Sequence, residues 1–276
     1  MESTKDKIIL VTGATDGLGR KVARDLVAEG ATVLLHGRNE ERAVAAVQEI
    51  REEIGSDNLR YYLADFSSLE EVRRLADEVR SEHDRLDVLV NNAGIGAGKQ
   101  GEMWRETSRN GHELRFAVNY LAPFLLTELL LPLLKDSAPS RIVNVASAGQ
   151  SPIDFDDPML EWSYDGMKAY SQSKLAQITS TFELAERLEG TGVTVNALHP
   201  ASLMDTKMVS EWFGYTMSTV RQGAGAVEWM AIAPELEGIT GRYFDGQRES
   251  RAEEQAYYPE ARKRLWDLSE ELAGLK

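Results

Sequence analysis

The stretch KIILVTGATDGLGRKVARDL, Lys7 to Leu26, sets the terms for reading the rest of the chain. An apolar run of strand character ends at Thr12, and three glycines follow at Gly13, Gly17 and Gly19. From Leu18 to Glu29 the apolar positions recur at helical spacing. At such a strand-to-helix turn one glycine permits the tight turn and another lets the backbone approach a phosphate. A third allows helix and strand to pack closely. The helix start offers free N–H groups and the positive end of its dipole to an anion. A plain glycine-rich turn would look the same in isolation, so the surrounding pattern must decide.

That pattern is an alternation. ATVLLH (Ala31 to His36), NLRYYLAD (from Asn58), LDVLVNNAG (from Leu86), SRIVNVAS (from Ser140) and VTVNALH (from Val193) are short and β-rich, and each of the first four is followed by a longer helical stretch. Strands alternating with helices predict parallel strands joined by right-handed crossovers. Runs such as IILV, TVLL and VLV are apolar without alternation, as strands covered on both faces are. The fold class is therefore α/β: a single Rossmann-type, doubly wound parallel sheet with helices on both faces. No linker or repeat interrupts it, and one domain spans residues 1–276. Residues 204–240 read as a partly helical segment covering a substrate, GRYF (Gly241 to Phe244) as a short strand, and 256–273 as a C-terminal helix.

Composition narrows the functions. The 276 residues carry 45 acidic and 31 basic side chains, a formal net charge of −14. Such a surface repels nucleic acid and anionic membranes but still admits a small anion held by backbone amides and an arginine. The absence of cysteine excludes disulfides and thiol catalysis. Four scattered histidines without spaced carboxylates give no metal site. MESTKDKIILVTG lacks the apolar core of a secretory signal. The longest apolar run, Phe124 to Leu134, is broken by Glu128 and Pro132 and falls short of the ~20 residues of a membrane span. The expectation is a soluble cytoplasmic protein with no stable membrane insertion.

The spacing T-G-x-x-x-G-x-G resembles that of the short-chain dehydrogenase/reductase family. NNAG (Asn91 to Gly94), VNVAS ending at Ser147, Tyr-x-x-x-Lys at Tyr170 and Lys174, and Asn119 in FAVNYLAPF follow in that family's order. Within it, RNGHELRFAVNYLAPFLLTELLLPLL and YDGMKAYSQSKLAQ look like the retinol-dehydrogenase-like branch. The resemblance implies Asn119, Ser147, Tyr170 and Lys174 as catalytic residues. It implies dinucleotide contacts from Gly13, Thr15, Asp16, Gly17, Leu18 and Gly19, and from Asp65 and Phe66 at the adenine. Asn92, Ala93 and Gly94 after the fourth strand, Tyr170 and Lys174, and Pro200 and Leu203 after the sixth complete the set. Asp65 is equally readable as the helix cap before Ser67 and Ser68.

An acid about 20 residues past the glycines would bond the ribose of NAD. Here His36, Gly37 and Arg38 stand in its place, and Arg38 suits a 2′-phosphate, so NADP(H) is favoured over NAD(H). Asp16 in the glycine loop argues the other way. A free tyrosine titrates near ~10, too high for exchange at neutral pH, and Lys174 one turn away is expected to lower Tyr170. Ser147 would hold the substrate oxygen, and Asn119 is either part of a water relay to Lys174 or a buried group satisfying backbone.

The 22 residues between Ser147 and Tyr170 form an insertion on which Phe155, Met159 and Trp162 either line a cleft or pack the loop down. After Pro200, Ala201 replaces the glycine usual in the family, and Thr206 stands one position late for its nicotinamide contact. Met204, Met208, Trp212, Phe213 and Tyr215 suit either a bulky apolar substrate or a helix packed on the core. His199, beside a proline at a strand end, reads as structural.

These features point to an NADP(H)-dependent oxidoreductase acting on a hydrophobic ketone/alcohol pair with Tyr170 as general acid/base. The alternatives are enone reduction or other reductive or non-redox tailoring on the same fold, and a non-catalytic NADP-sensing regulator. The resemblance also implies a homodimer or homotetramer through the long helix of the 110s–130s and the Tyr170 helix.

Overall fold

In the computed structural model, which describes residues 4–98, 104–207, 209–210 and 214–276, the run after Lys7 becomes strand β1 (Ile8–Val11). Its last three residues are wholly buried. β2 (Thr32–Gly37) and β3 (Leu59–Leu63) lie on one side of it, and β4 (Val88–Asn91), β5 (Ser140–Val145) and β6 (Val193–His199) on the other. The order β3-β2-β1-β4-β5-β6 is continued by β7 (Tyr243–Asp245), parallel to β6, and by β8 (Arg248–Glu249), antiparallel to β7. The sequence reading marks a strand near β7 and does not mark β8, whose two exposed residues carry no apolar pattern. Because β2 and β4 flank β1, the chain's winding reverses there, and a crevice opens at the carboxyl ends of β1 and β4.

The helices start where short polar side chains can satisfy free N–H groups. Asp16 caps α1 (Gly17–Ala28), Asn39 caps α2 (Glu40–Ile54), Ser68 caps α3 (Leu69–Glu82) and Asp165 caps α5 (Gly166–Arg187). α6 (Val220–Ile232) opens with a reciprocal Thr219–Gln222 capping box. α1, α2 and α6 cover one face of the sheet, with Val22, Leu26, Ile50, Val227 and Met230 buried against it. α3, α5 and α4 (Leu114–Asp136) cover the other with Leu75, Leu125, Leu130 and Leu175.

α4 is the long helix read from the sequence, but its apolar surface extends beyond the broken run that marked it. It is one 23-residue helix, long and apolar enough to cross a membrane by length and composition, although the broken run Phe124–Leu134 alone is not. The larger part of it is buried inside the protein, because its apolar stripe faces the sheet and its neighbours. A single π turn, Ala117–Leu121, interrupts it where Asn119 sits. The C-terminal helix α7 (Pro259–Leu272) packs back over α4 and α5. Trp266 meets Phe124 edge-on at 5.0 Å, the Arg187 guanidinium lies 4.1 Å over the Trp266 ring, and the Tyr120 and Ser269 hydroxyls are 2.6 Å apart. The helix pair expected to face another subunit is thus roofed, at this place, by the chain's own end.

Candidate active site

At the end of β1 the backbone turns through Gly13, whose φ of 64° lies in the left-handed region. A Cβ here would stand 2.7 Å from the Ala93 Cα, so glycine is required for the β1 and β4 loops to meet. At Gly19 a Cβ would fall 2.3 Å from Asn92 Nδ2. The Asn92 amide uses this space to donate to the carbonyls of Thr12 (2.8 Å) and Gly13 (3.1 Å). Asp16 accepts from the Gly17 N–H at 2.7 Å and so occupies one donor of the helix start with a carboxylate. The first turn of α1 holds no other acid. Thr15 and the buried Leu18 lie on this turn as expected.

Two residues that the sequence pattern does not mark, Thr12 and His36, hold the loop. The buried Thr12 hydroxyl accepts from the N–H groups of Asn92 (2.9 Å) and Ala93 (3.0 Å), tying β1 to the β4 loop. His36, 3% exposed, accepts from the Gly13 N–H at Nδ1 (3.2 Å), leaving Nε2–H to donate to the Ala64 carbonyl (3.0 Å). Its ring stacks on Phe66 at 4.4 Å. Burial lowers its pKa to about 4, against the smaller upward pull of the Ala64 bond, so the ring is neutral at physiological pH. The unbroken apolar run of β2, covered on both faces, could have signalled a buried His36.

On the adenine side, Arg38 is exposed just past β2. Gly37 before it admits no side chain without movement, since a Cβ would lie 2.3 Å from the Thr15 methyl. Asp65 is not the cap of α3. Its carboxylate accepts from Ser67 N–H (2.9 Å) and faces Arg109 (3.5 Å), while Ser68 caps the helix. The Phe66 ring is 4% exposed and packed into the core, so only its backbone is placed to meet a dinucleotide.

Ser147 lies two residues past β5. Its hydroxyl accepts from the Gly149 N–H (3.0 Å) and hydrogen-bonds the Tyr170 phenol. Its carbonyl is held by the Tyr243 hydroxyl (3.0 Å) and Gln150 Nε2 (2.9 Å). Tyr170 and Lys174 project from α5 into the same region, with Lys174 Nζ 6.0 Å from the Tyr170 ring centre. The expected lowering of Tyr170 is not what the geometry gives. Burial raises the phenol, and the opposing influence is the Ser147 bond. The Lys174 ammonium is directed instead at the Val145 carbonyl (2.9 Å) and Gln177 Oε1 (3.3 Å), and its own burial brings it down to about 8.

Asn119 is wholly buried. Its Oδ1 accepts from Ile95 N–H (2.7 Å), and its Nδ2 donates to the Ile95 carbonyl (3.0 Å) and Ser173 Oγ (3.0 Å). The side chain therefore satisfies backbone at the π turn and pins the loop after β4, while any relay through it would use main-chain groups. Gly94 lies between Asn119 and Lys174: a Cβ there would come 3.3 Å from Asn119 Oδ1 and 3.6 Å from Lys174 Nζ.

Beyond β6, Pro200 is buried and Leu203 holds a positive φ of 44°, a strained conformation for a leucine. Met204 packs against Gly223 of α6, and the Thr206 methyl stands 3.7 Å from where a Gly17 Cβ would be. The late Thr206 thus still overhangs the glycine loop. His199 bonds Ser202 (3.1 Å), in keeping with a structural histidine. Met208, Trp212 and Phe213 lie outside the described residues, and Tyr215 is exposed. In the insertion, Phe155 lies under Arg264 (4.9 Å) and Met159 Sδ accepts from Glu113 N–H (3.4 Å), so both pack the loop down. Trp162 is 80% exposed. A hollow of about 1120 Å³ opens at the opposite end of the sheet beside Ser140 and Val193 and contains none of these groups. Among the described residues no cluster suited to a metal ion occurs.

Gly13, the first turn of α1 and the cradle at Gly94 leave room and backbone donors that fit a nicotinamide dinucleotide, with the Asp16 carboxylate as the one unfavourable group. Comparison with known proteins agrees with this geometry. Residues 7–214 match the family model described as short chain dehydrogenase. Mouse retinol dehydrogenase 13 is 40% identical, over 98% of this chain and 84% of its own. Human retinol dehydrogenase 14 is likewise 40% identical, over 98% of this chain and 87% of its own. A short chain dehydrogenase of Shigella flexneri 2a strain 301, solved in complex with NADP, superposes with a TM-score of 0.72 at 29% identity, covering 90% of this chain and 100% of that one.

Proposed function

The chain belongs to the short-chain dehydrogenase/reductase family, in its retinol-dehydrogenase-like branch, and on that footing we propose that it is an NADP(H)-dependent oxidoreductase interconverting a hydrophobic alcohol and its carbonyl compound. The observation that carries the reading is the convergence of Ser147, Tyr170 and Lys174 beside the glycine loop at the carboxyl end of the sheet.

The nicotinamide, when bound, supplies or accepts the hydride. Ser147 donates a hydrogen bond to the substrate oxygen and orients it. Tyr170 gives that oxygen its proton in reduction and takes it in oxidation. A phenol raised by burial keeps its proton at neutral pH, which suits the donor role. Lys174, still mostly protonated at pH 7, steadies the tyrosinate left behind. Gly13, Gly17, Leu18 and Gly19 hold the pyrophosphate on backbone N–H groups, and Asn92, Ala93 and Gly94 form the opposite wall.

Preference for NADP(H) is supported by exposed Arg38, by the exclusion of a carboxylate from position 37 through Thr15, and by the NADP in the Shigella relative. The names of the curated relatives support a retinoid-like alcohol or aldehyde as the substrate class. In the same reading the protein is cytoplasmic, α4 stays in the core rather than entering a membrane, and a homo-oligomer forms only through surfaces that α7 leaves open.

Parallel titrations with NADPH and NADH, read by tryptophan quenching, test the first step, and turnover of retinaldehyde and aromatic ketones the second. Tighter NADPH binding and turnover are expected. Binding of neither dinucleotide would overturn the reading; tight binding without turnover across the panel would favour a sensor. Arg38→Asp should reverse the preference towards NADH, and an unchanged ratio would remove Arg38 from the 2′-phosphate site.

A further inference from the structure

The Lys174 ammonium can only donate, so the Gln177 oxygen must face it and the Gln177 NH₂ must point away. Gln177 Nε2 is buried without a hydrogen-bond partner in the protein, and so is Glu128 Oε1. Both residues line one cavity of about 20 Å³ between α4, α5, β5 and α7, together with Thr127, Asn144, Ser180 and Trp266. The neighbours are already committed. Asn144 accepts from Asn91 (2.8 Å) and donates to Thr181 (2.8 Å), Thr127 accepts from Asn91 (3.0 Å), and Ser180 donates to the Gln177 carbonyl (3.1 Å). The Trp266 indole N–H is the exception: it lies near Glu270 but is buried without a hydrogen-bond partner. Two unmatched donors and an unmatched acceptor thus face a space that exceeds the ~10–15 Å³ one water needs.

We propose that a water in this cavity joins Gln177 Nε2 to Glu128, making Gln177 and Glu128 positioning residues that couple a carboxyl on the α7 side of the protein to Lys174. The inference deepens the oxidoreductase reading and rests on it for its catalytic consequence. Gln177 and the Val145 carbonyl take two of the three ammonium hydrogens, leaving the third for the Tyr170 side. When Glu128 ionises it accepts from the water, the water accepts from the Gln177 NH₂, and the Gln177 oxygen becomes a better acceptor for Lys174. The charged form of Lys174 is then favoured. Burial raises Glu128 to about 7, with Glu270 of α7 adding to the rise and Arg187 of α5 and Lys135 of α4 opposing it. Around Lys174 the other titratable groups are Tyr170 and, from β6, His199.

The test follows the Cε resonance of Lys174 in ¹³C-lysine-labelled protein against pH, assigned by its loss in Lys174→Arg. Gln177→Leu removes an acceptor of the charged ammonium and should lower the Lys174 midpoint by about one pH unit. Glu128→Gln should lower it by a few tenths of a unit, and should have no further effect once Gln177 is leucine. If turnover exists, the alkaline limb of kcat/KM should move by the same amounts. Unmoved Lys174 midpoints, or an equal effect of Glu128→Gln with and without Gln177, would overturn the linkage. Because the resonance needs no turnover, a wild-type protein that fails to bind dinucleotide would sink the proposed function while leaving this measurement decisive.

Discussion

At the scale of single residues, Tyr170 and His36 carry opposite kinds of argument. Tyr170 sits at the chemistry, hydrogen-bonded to Ser147. Tyr170→Phe should therefore keep dinucleotide binding and lose at least about 10²-fold in kcat, the size of a positioned acid–base group. Stopped-flow and steady-state turnover check this, and near-normal kcat would remove the role. His36 sits behind the chemistry and acts through the fold. Its folded pKa, about 4, lies below the ordinary 6.5. The unfolded chain therefore binds the extra proton first, and the contribution of His36 is complete above pH 6.5 and is lost as pH falls towards 4. Its size is about 3 kcal/mol at most. Urea unfolding at pH 7 and pH 5 should show a marked loss in the wild type and a smaller one in His36→Gln. Equal losses would mean that the imidazole protonates without cost.

At the scale of elements, the decisive device is the π turn in α4. An extra residue in one turn re-aims Asn119 so that its amide closes on both backbone groups of Ile95. Asn119→Ala leaves a buried N–H and a buried carbonyl unpaired, at a cost of about 2–4 kcal/mol. It also frees the loop that carries Gly94. Thermal unfolding should show the loss, and NADPH affinity should fall with it; a stable variant with weakened affinity alone would place Asn119 in direct contact instead. The segment after β6 is the counterpart on the other wall. Asp205 accepts from Val220 N–H at 2.5 Å and anchors that segment to the start of α6. The Leu203 strain is held in place by Met217 N–H, which donates to the Leu203 carbonyl at 2.9 Å.

At the scale of the whole molecule, α7 matters most, because it decides which surface of α4 and α5 a second copy can reach. Trp266→Ala should cost about 3–5 kcal/mol, the range for deleting a buried aromatic. Sedimentation velocity of that variant should also show association that the wild type lacks at the same concentration. A wild type already dimeric through α4 and α5 would require α7 to lie elsewhere. The net charge of −14 acts at this scale too, opposing the approach of two copies most strongly at low salt.

The sequence alone determined what depends on local order. Apolar runs alternating with helical periods specify a parallel sheet, and the order of the glycines, Asn92, Ser147, Tyr170 and Lys174 along it carried the family resemblance that assigned their roles. The start of α1 was equally legible, near Leu18, whereas the cap of α3 is Ser68 rather than Asp65. What only the tertiary structure decided are relations between distant segments. Thr12 with Asn92, His36 with Gly13 and Ala64, Gly37 against Thr15, and Asn119 with Ile95 are each brought together by sheet order and packing. The same holds for the rise rather than fall of the Tyr170 phenol. Sequence places a lysine one turn away, but desolvation is the summed effect of every element folded over the side chain, and it raises the phenol against the Ser147 bond while the lysine is turned to the Val145 carbonyl and Gln177.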